Sequence, residues 1–165
     1  MTTRPPQKRQ PRPLDAARLN DLALAYVARF AVSAAKLESY LKRKLGERGW
    51  GETTEPPVKA IVARFVAAGY IDDAAYARMK ADGLRRRGYG ERRVGQALDA
   101  AGIAVPDRAA ARAGEAAQRA AALAYARRRR IGPFGGEVDR AGREKQLAAL
   151  LRAGHEFSLR LITNQ

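Results

Sequence analysis

Between Gly49 and Ile103 the chain stops four times on the same two-residue signal, a glycine followed by a large apolar residue: Gly49-Trp50, Gly69-Tyr70, Gly88-Tyr89 and Gly102-Ile103. A glycine just past a helix end enters the left-handed region without a Cβ penalty, and the next side chain folds back onto the last turn. With helical apolar periodicity from Leu14 onward, these stops predict an all-α chain of short helices. The aromatics at the stops read as structural. In the weaker reading, Trp50, Tyr70 and Tyr89 stack on nucleobases, but a helix end already explains their spacing.

Leu19, Leu22, Tyr26 and Phe30 form one stripe behind an Asp15 cap, and Ser33 caps a second helix carrying Leu37, Leu41 and Leu45. Thr54 caps a third, with Pro56 and Pro57 in its first turn and Val58, Ile61, Val62, Phe65 and Val66 on its apolar face. Asp72 opens a fourth, with Tyr76, Met79, Gly83 and Leu84 inward. At ~100° per residue, Arg78 and Arg85 fall within about 20° of each other and share its solvent face. A fifth starts near Gly90, turning Val94, Ala97, Leu98 and Ala101 inward and putting Arg92 and Arg93 in its first turn, where the helix dipole disfavours positive charge.

Beyond Asp107, taken as a cap, an alanine-rich stretch either runs unbroken to Arg130 or breaks near Gly114. A loop Ile131–Gly136, a helix with Val138, Leu147, Leu150 and Leu151, a stop at Gly154 and a last short helix behind Ser158 with Leu161 and Ile162 follow. The middle helices Leu41-x3-Leu45-x3-Gly49, Val94-x3-Leu98-x3-Gly102 and Leu147-x3-Leu151-x2-Gly154 recur about 50 residues apart, the mark of a helical array. The expected divisions are a disordered basic arm at 1–13, then three-helix repeats at 14–70, 71–114 and 115–165, the last divergent.

The net charge of +15 is clustered: residues 1–13 carry +4, residues 78–93 carry +5 and residues 127–130 carry +4, so 33 residues hold 13 of the 15 net charges. That favours a polyanionic partner over a merely soluble surface. No cysteine is present, which excludes disulfides and thiolate chemistry, and no apolar run approaches the roughly 20 residues that span a bilayer. A cytoplasmic location and no membrane partner are expected. Catalysis is not: His155, the one histidine, reads as a surface residue without a partner at metal-ligand spacing, Gly88-x-Gly90 lacks the third glycine of a dinucleotide fingerprint, and Asp72-Asp73 are simplest as capping groups. No metal or cofactor is expected.

The segment Gly69-Tyr70-Ile71-Asp72-Asp73 followed by Tyr76-Ala77, the turn Arg87-Gly88-Tyr89-Gly90 with Arg93-Val94, and Leu98 through Gly102-Ile103 resemble the central motifs of the RecX family. Ser33 through Leu37, Leu41, Arg43-Lys44-Leu45 and Gly49-Trp50 resemble its first repeat, and the likeness extends over about residues 15 to 163. The resemblance implies three tandem three-helix repeats in an elongated curved array. It also implies a regulator, typically an inhibitor, of the RecA recombinase in DNA repair, recombination and the SOS response. Such a protein lies in the groove of a RecA filament on single-stranded DNA and hinders ATP hydrolysis, strand exchange or filament growth. A monomer is expected, with duplex DNA as a further partner.

The residues expected to meet filament and DNA are Arg78, Arg85, Arg86, Arg87, Arg92 and Arg93 at the centre, flanked by Lys42, Arg43, Lys44 and by Arg127, Arg128, Arg129 and Arg130. Each of them also reads as an ordinary solvated cation, and the 127–130 run as a complement to a helix C-terminus. The other function class left open is a general helical nucleic-acid binder of helix-turn-helix type, reading duplex grooves through Arg92 and Arg93.

Overall fold

The computed structural model describes residues 12–155. They form eight α-helices: α1 Ala16–Arg29, α2 Ala34–Arg48, α3 Val58–Ala67, α4 Asp73–Arg86, α5 Glu91–Asp99, α6 Val105–Ala110, α7 Glu115–Arg129 and α8 Arg140–Arg152, with a 3-10 turn Gly132–Phe134 before α8. The chain is all-α, as its periodicity implies. Among the described residues, strand-like pairing is limited to one parallel bridge between Leu14 and Trp50. The helix expected behind Ser158 and nearly all of the basic arm lie outside the described residues.

Side-chain caps start three helices where the sequence places them. Asp15 accepts from the Arg18 amide at 2.8 Å, Ser33 from Lys36 at 3.3 Å and Asp72 from Ala75 at 2.8 Å. The third helix differs: it begins at Val58 behind Pro57, with no side-chain cap. Each proline disfavours the α region for the residue before it, so Thr54 is too early to open a helix; its carbonyl instead accepts the Trp50 indole N–H at 2.6 Å. Asp107 is likewise not a cap but sits in the first turn of α6, behind Ala104. The alanine-rich stretch breaks near Gly114, which precedes α7. Asp139 caps α8 by accepting from Gly142 at 2.8 Å, so Val138 lies outside that helix and is exposed.

Five helix ends share one hydrogen-bond pattern. The amides of Tyr70, Tyr89, Ile103, Ile131 and His155 reach back to the carbonyls of Phe65, Leu84, Leu98, Ala126 and Leu150 at 2.9–3.1 Å, the long bond of a Schellman ending. Two members were not apparent from sequence: Arg130 takes the left-handed position with φ 53°, and His155 takes the position that follows the glycine. The register of α8 is therefore set by Leu150, which is buried, while Leu151 is exposed. Gly49 is the exception among the four stops. Its ψ of 168° sends the chain out extended, and Leu14 pairs across it, with Leu14 N–H to Gly49 O at 2.9 Å and Gly51 N–H to Leu14 O at 2.8 Å.

The chain folds as two compact units that divide between Ile71 and Asp72. In the first, Leu14, Leu19, Leu37, Leu41, Val58, Ile61, Phe65 and Ile71 pack together. The second holds two apolar clusters, one around Tyr76, Leu84, Val94, Leu98 and Ile103 and a smaller one of Ala126, Ile131 and Leu150. Three more expected core residues face out instead: Phe30 leaves the end of α1 in extended backbone, Val66 lies on the outer face of α3, and Met79 lies on the outer face of α4.

Candidate nucleic-acid interface

Arg85 and Arg78 do not share a solvent face. Arg78 is exposed, but the Arg85 side chain is only 12% exposed and is clamped from three sides. Its guanidinium donates to Glu91 at 2.7 and 3.2 Å, to Asp82 at 3.1 Å and to the carbonyl of Ala111 at 2.5 Å. Ala111 ends α6 and Glu91 begins α5, so one side chain ties α4 to both. Glu91 also accepts the Ala113 amide at 3.4 Å, fixing the link to α7. Burial pushes the guanidinium pKa down, yet the hydrogen bonds and charges of Glu91 and Asp82 outweigh it and leave the pKa raised. Arg85 is thus a structural ion, and the helical angle failed to show it because two acids, one on the next helix, draw the side chain inward.

The start of α5 is also closed from outside. The Gly90 amide donates to Ala153 O at 2.9 Å and the Arg92 amide to Gly154 O at 3.3 Å, so the unsatisfied amides of α5 meet the unsatisfied carbonyls of α8. The Arg92 guanidinium donates to Leu151 O. A positive side chain in the first turn of α5 is therefore explained by the negative end of α8 beside it. The approach needs glycine: a Cβ on Gly90 would overlap the Gly154 carbonyl, and one on Gly154 would lie 2.6 Å from Arg93 N. His155, 3% exposed rather than on the surface, completes the joint with Nε2 2.9 Å from Gly88 O. Because it bonds a carbonyl, Nε2 carries the proton. Burial pushes the His155 pKa down, only partly opposed by that bond.

The other cations of the second unit that the sequence assigns to the interface face outward. Arg86, Arg87, Arg93 and Arg127 to Arg130 are all exposed. Arg87 donates to Gly83 O at 3.2 Å and Arg128 to Ala124 O at 3.3 Å, which anchors each over its own helix end. Arg128 also reaches Arg86 O at 3.4 Å, bringing the arginine run of α7 beside the last turn of α4. Arg127 lies 5.2 Å from the Phe134 ring centre and Arg129 5.8 Å from that of Tyr125, so the apolar stems are held while the charges stay in water. Tyr89 is half buried against the second cluster, and Tyr70 leans on Phe65 at 5.4 Å, as the ring after a helix-ending glycine does.

In the first unit the cations come with acids. Lys42 pairs with Glu38 at 2.6 Å, and Arg43 and Lys44 share Glu47 at 3.6 and 2.6 Å. Lys42 and Lys44 hold the carboxyls of Glu38 and Glu47 below their usual range, first by hydrogen bonding and also by charge. Among the described residues no group of three or more His, Cys, Asp or Glu side chains is placed to hold a metal ion, and no helix is long and apolar enough to cross a membrane.

No protein-family model matches the chain. A curated relative does: the regulatory protein RecX of Myxococcus xanthus (strain DK1622) is 34% identical over 164 residues, covering 92% of this chain and 86% of the relative. The chain belongs to the RecX family. Solved RecX structures have the same fold: the crystal structure of RecX from Lactobacillus salivarius superposes with a TM-score of 0.68 at 17% identity over 87% of this chain and 90% of that one. A second crystal structure of regulatory protein RecX gives 0.70 at 22% identity over 91% of this chain and 72% of that one. RecX proteins are regulators and not enzymes.

Proposed function

We propose that this chain regulates a RecA recombinase by lodging in the groove of RecA filaments on single-stranded DNA, where it hinders ATP hydrolysis, strand exchange or filament growth. It acts as a cytoplasmic monomer built of tandem helical repeats, the first at 14–70 and the second at 71–114. RecX membership and the outward arginines of the second unit support this reading. One observation carries it. Arg85 holds both acids of the 78–93 segment, Asp82 and Glu91, while Arg78, Arg86, Arg87 and Arg93 face water in a segment that keeps a net charge of +5. Their field, with Arg127 to Arg130, suits the phosphates and acidic side chains that line such a groove. Arg85 and Arg92 are scaffold in this reading, and Lys42, Arg43 and Lys44 add little net charge.

Duplex reading by α5 has less support, because a recognition helix offers its N-terminal residues to base edges and here α8 covers them. The deciding experiment is an ATPase titration against preformed filaments, beside binding to naked single strands at equal salt. Lowered ATPase and tighter binding to ATP-bound filaments are expected; equal affinity for both with the ATPase untouched would overturn the proposal. Replacing Arg86, Arg87 and Arg128 together with Gln should weaken binding and flatten its salt dependence with helix content intact.

A further inference from the structure

The first unit carries a row of rings that its core does not use up. Tyr26 on α1 and Tyr40 on α2 stack with centroids 4.1 Å apart and planes within 2° of parallel. Phe30 lies beside this pair, its centroid 5.6 Å from that of Tyr26 and its plane tilted by 54°. The two tyrosines are half buried against the core, whereas Phe30 is 54% exposed. Its position is set by the backbone: α1 ends there, and the Phe30 amide still reaches Tyr26 O at 3.2 Å, which keeps the ring beside Tyr26 but outside the core.

Cations gather on the same rings. The Arg29 guanidinium lies 5.9 Å from the Phe30 centroid, and Arg43 and Lys44 lie 5.5 and 5.8 Å from that of Tyr40. Glu47 balances one of the last two, so the rings are bordered by a net charge of +2. An exposed ring backed by other rings offers a flat π-face, and the bordering charge asks for an anion on the same ligand. A purely apolar partner would gain nothing from the cations, whereas each nucleotide of a single strand brings a flat aromatic face and an adjoining anion together.

We propose that Phe30, backed by Tyr26 and Tyr40, is a stacking site for an unpaired base of single-stranded DNA, with Arg29, Arg43 and Lys44 taking the adjoining phosphates. Base stacking of this kind is sequence-tolerant, since every base has a π-face. The site goes beyond the filament reading, whose contacts are to phosphates and shape, and it needs no recombinase.

The test is a competition between a thymidine oligomer of about 12 nucleotides and an abasic oligomer of equal length, using the full chain at physiological salt. The abasic strand keeps every phosphate and removes every base. The chain should prefer the thymidine oligomer by about 5-fold or more. Phe30→Ala should bring that ratio close to one while leaving abasic affinity within about twofold, and Phe30→Trp should restore it. No base preference in the unmodified chain, or a preference that survives Phe30→Ala, overturns the proposal. Filament ATPase measured on the same variants separates the two readings. Loss of inhibition in Phe30→Ala without any base preference would make the ring a protein contact and end this proposal while the filament reading stands.

Discussion

The α1–α3 unit and the α7–α8 segment hold themselves together by different means. Leu14, Leu19, Leu37, Leu41, Ile61 and Phe65 fill the first with large side chains, while Ala126, Ile131 and Leu150 are all that is buried in the cluster of the second. Apolar stabilisation scales with buried area, so the alanine-lined segment gains far less from its own interior. It compensates by docking: the end of α8 delivers its free carbonyls to the start of α5, two glycines, Gly90 and Gly154, allow the approach, and His155 closes the joint on Gly88. A segment that lacks volume can be held by backbone complementarity to its neighbour, at the cost of tolerating almost no change at the contact.

The largest expected effect strikes that contact. Gly90→Ala would drive a methyl into the Gly154 carbonyl, backbone against backbone, and should destabilise the second unit by about 3 kcal/mol, the upper end for overpacking. Gly95→Ala, in the same helix but with nothing within 4 Å of its Cβ position, should stabilise by about 0.5–1 kcal/mol. Thermal unfolding of both variants checks the pair. Equal melting temperatures would mean that α8 is not docked as described.

The ion pairs sharpen the contrast further. Removing the buried partner of two carboxylates and a helix-ending carbonyl should cost about 2–3 kcal/mol in Arg85→Ala, somewhat below the range for fully buried pairs. Lys42→Ala breaks an exposed pair one helical turn long and should cost under about 0.5 kcal/mol. Filament binding adds an independent reading: if Arg85 is scaffold, Arg85→Lys should alter stability more than salt dependence. A flattened salt slope with stability unchanged would put Arg85 back on the interface.

Much of the fold was legible because its signals are local. Asp15, Ser33 and Asp72 cap the helices they precede, and Gly69, Gly88 and Gly102 end theirs, since caps and left-handed glycines act within one turn of sequence. The RecX motifs sit on those same residues. What failed depends on partners distant in the chain. Arg85 looked solvent-facing until Glu91 and Ala111 were in place, Arg92 looked like a free cation until α8 arrived beneath it, and Phe30 continued a stripe that its helix had already left. His155 is different, because a signal was present: Leu150-x3-Gly154-His155 repeats Leu98-x3-Gly102-Ile103 position for position. Reading the residue type hid the register. Tyr40 falls outside the Leu37-Leu41-Leu45 stripe, and its only local signal is its place among Lys36, Lys42, Arg43 and Lys44.

Arg130 offers a smaller test of the weak segment. It sits at φ 53°, ψ 50°, where the other Schellman endings have glycine. An L-residue there carries a steric cost of about 1 kcal/mol, so Arg130→Gly should raise stability by roughly that amount even as it removes a charge. Unchanged or lower stability would show that the Arg130 side chain contributes something the backbone argument omits.

The smallest expected effect is the pH dependence of the same joint. His155 is buried and its Nε2–H is committed to Gly88 O, so the folded chain resists a second proton, whereas the unfolded chain takes one up near the ordinary value of about 6.5. The unfolded state therefore binds more protons as pH falls through that value. Stability is full above it and declines below it until the lowered folded pKa is reached, with a slope that cannot exceed about 1.4 kcal/mol per pH unit. Because the chain has a single histidine, a loss of stability between about pH 7 and 5.5, above the range of most carboxylates, can be assigned to this ring. His155→Gln keeps a neutral donor in reach of Gly88 and should flatten the profile in that window. A slope that persists in the variant would place the titrating group elsewhere and remove His155 from the account of how α8 is held.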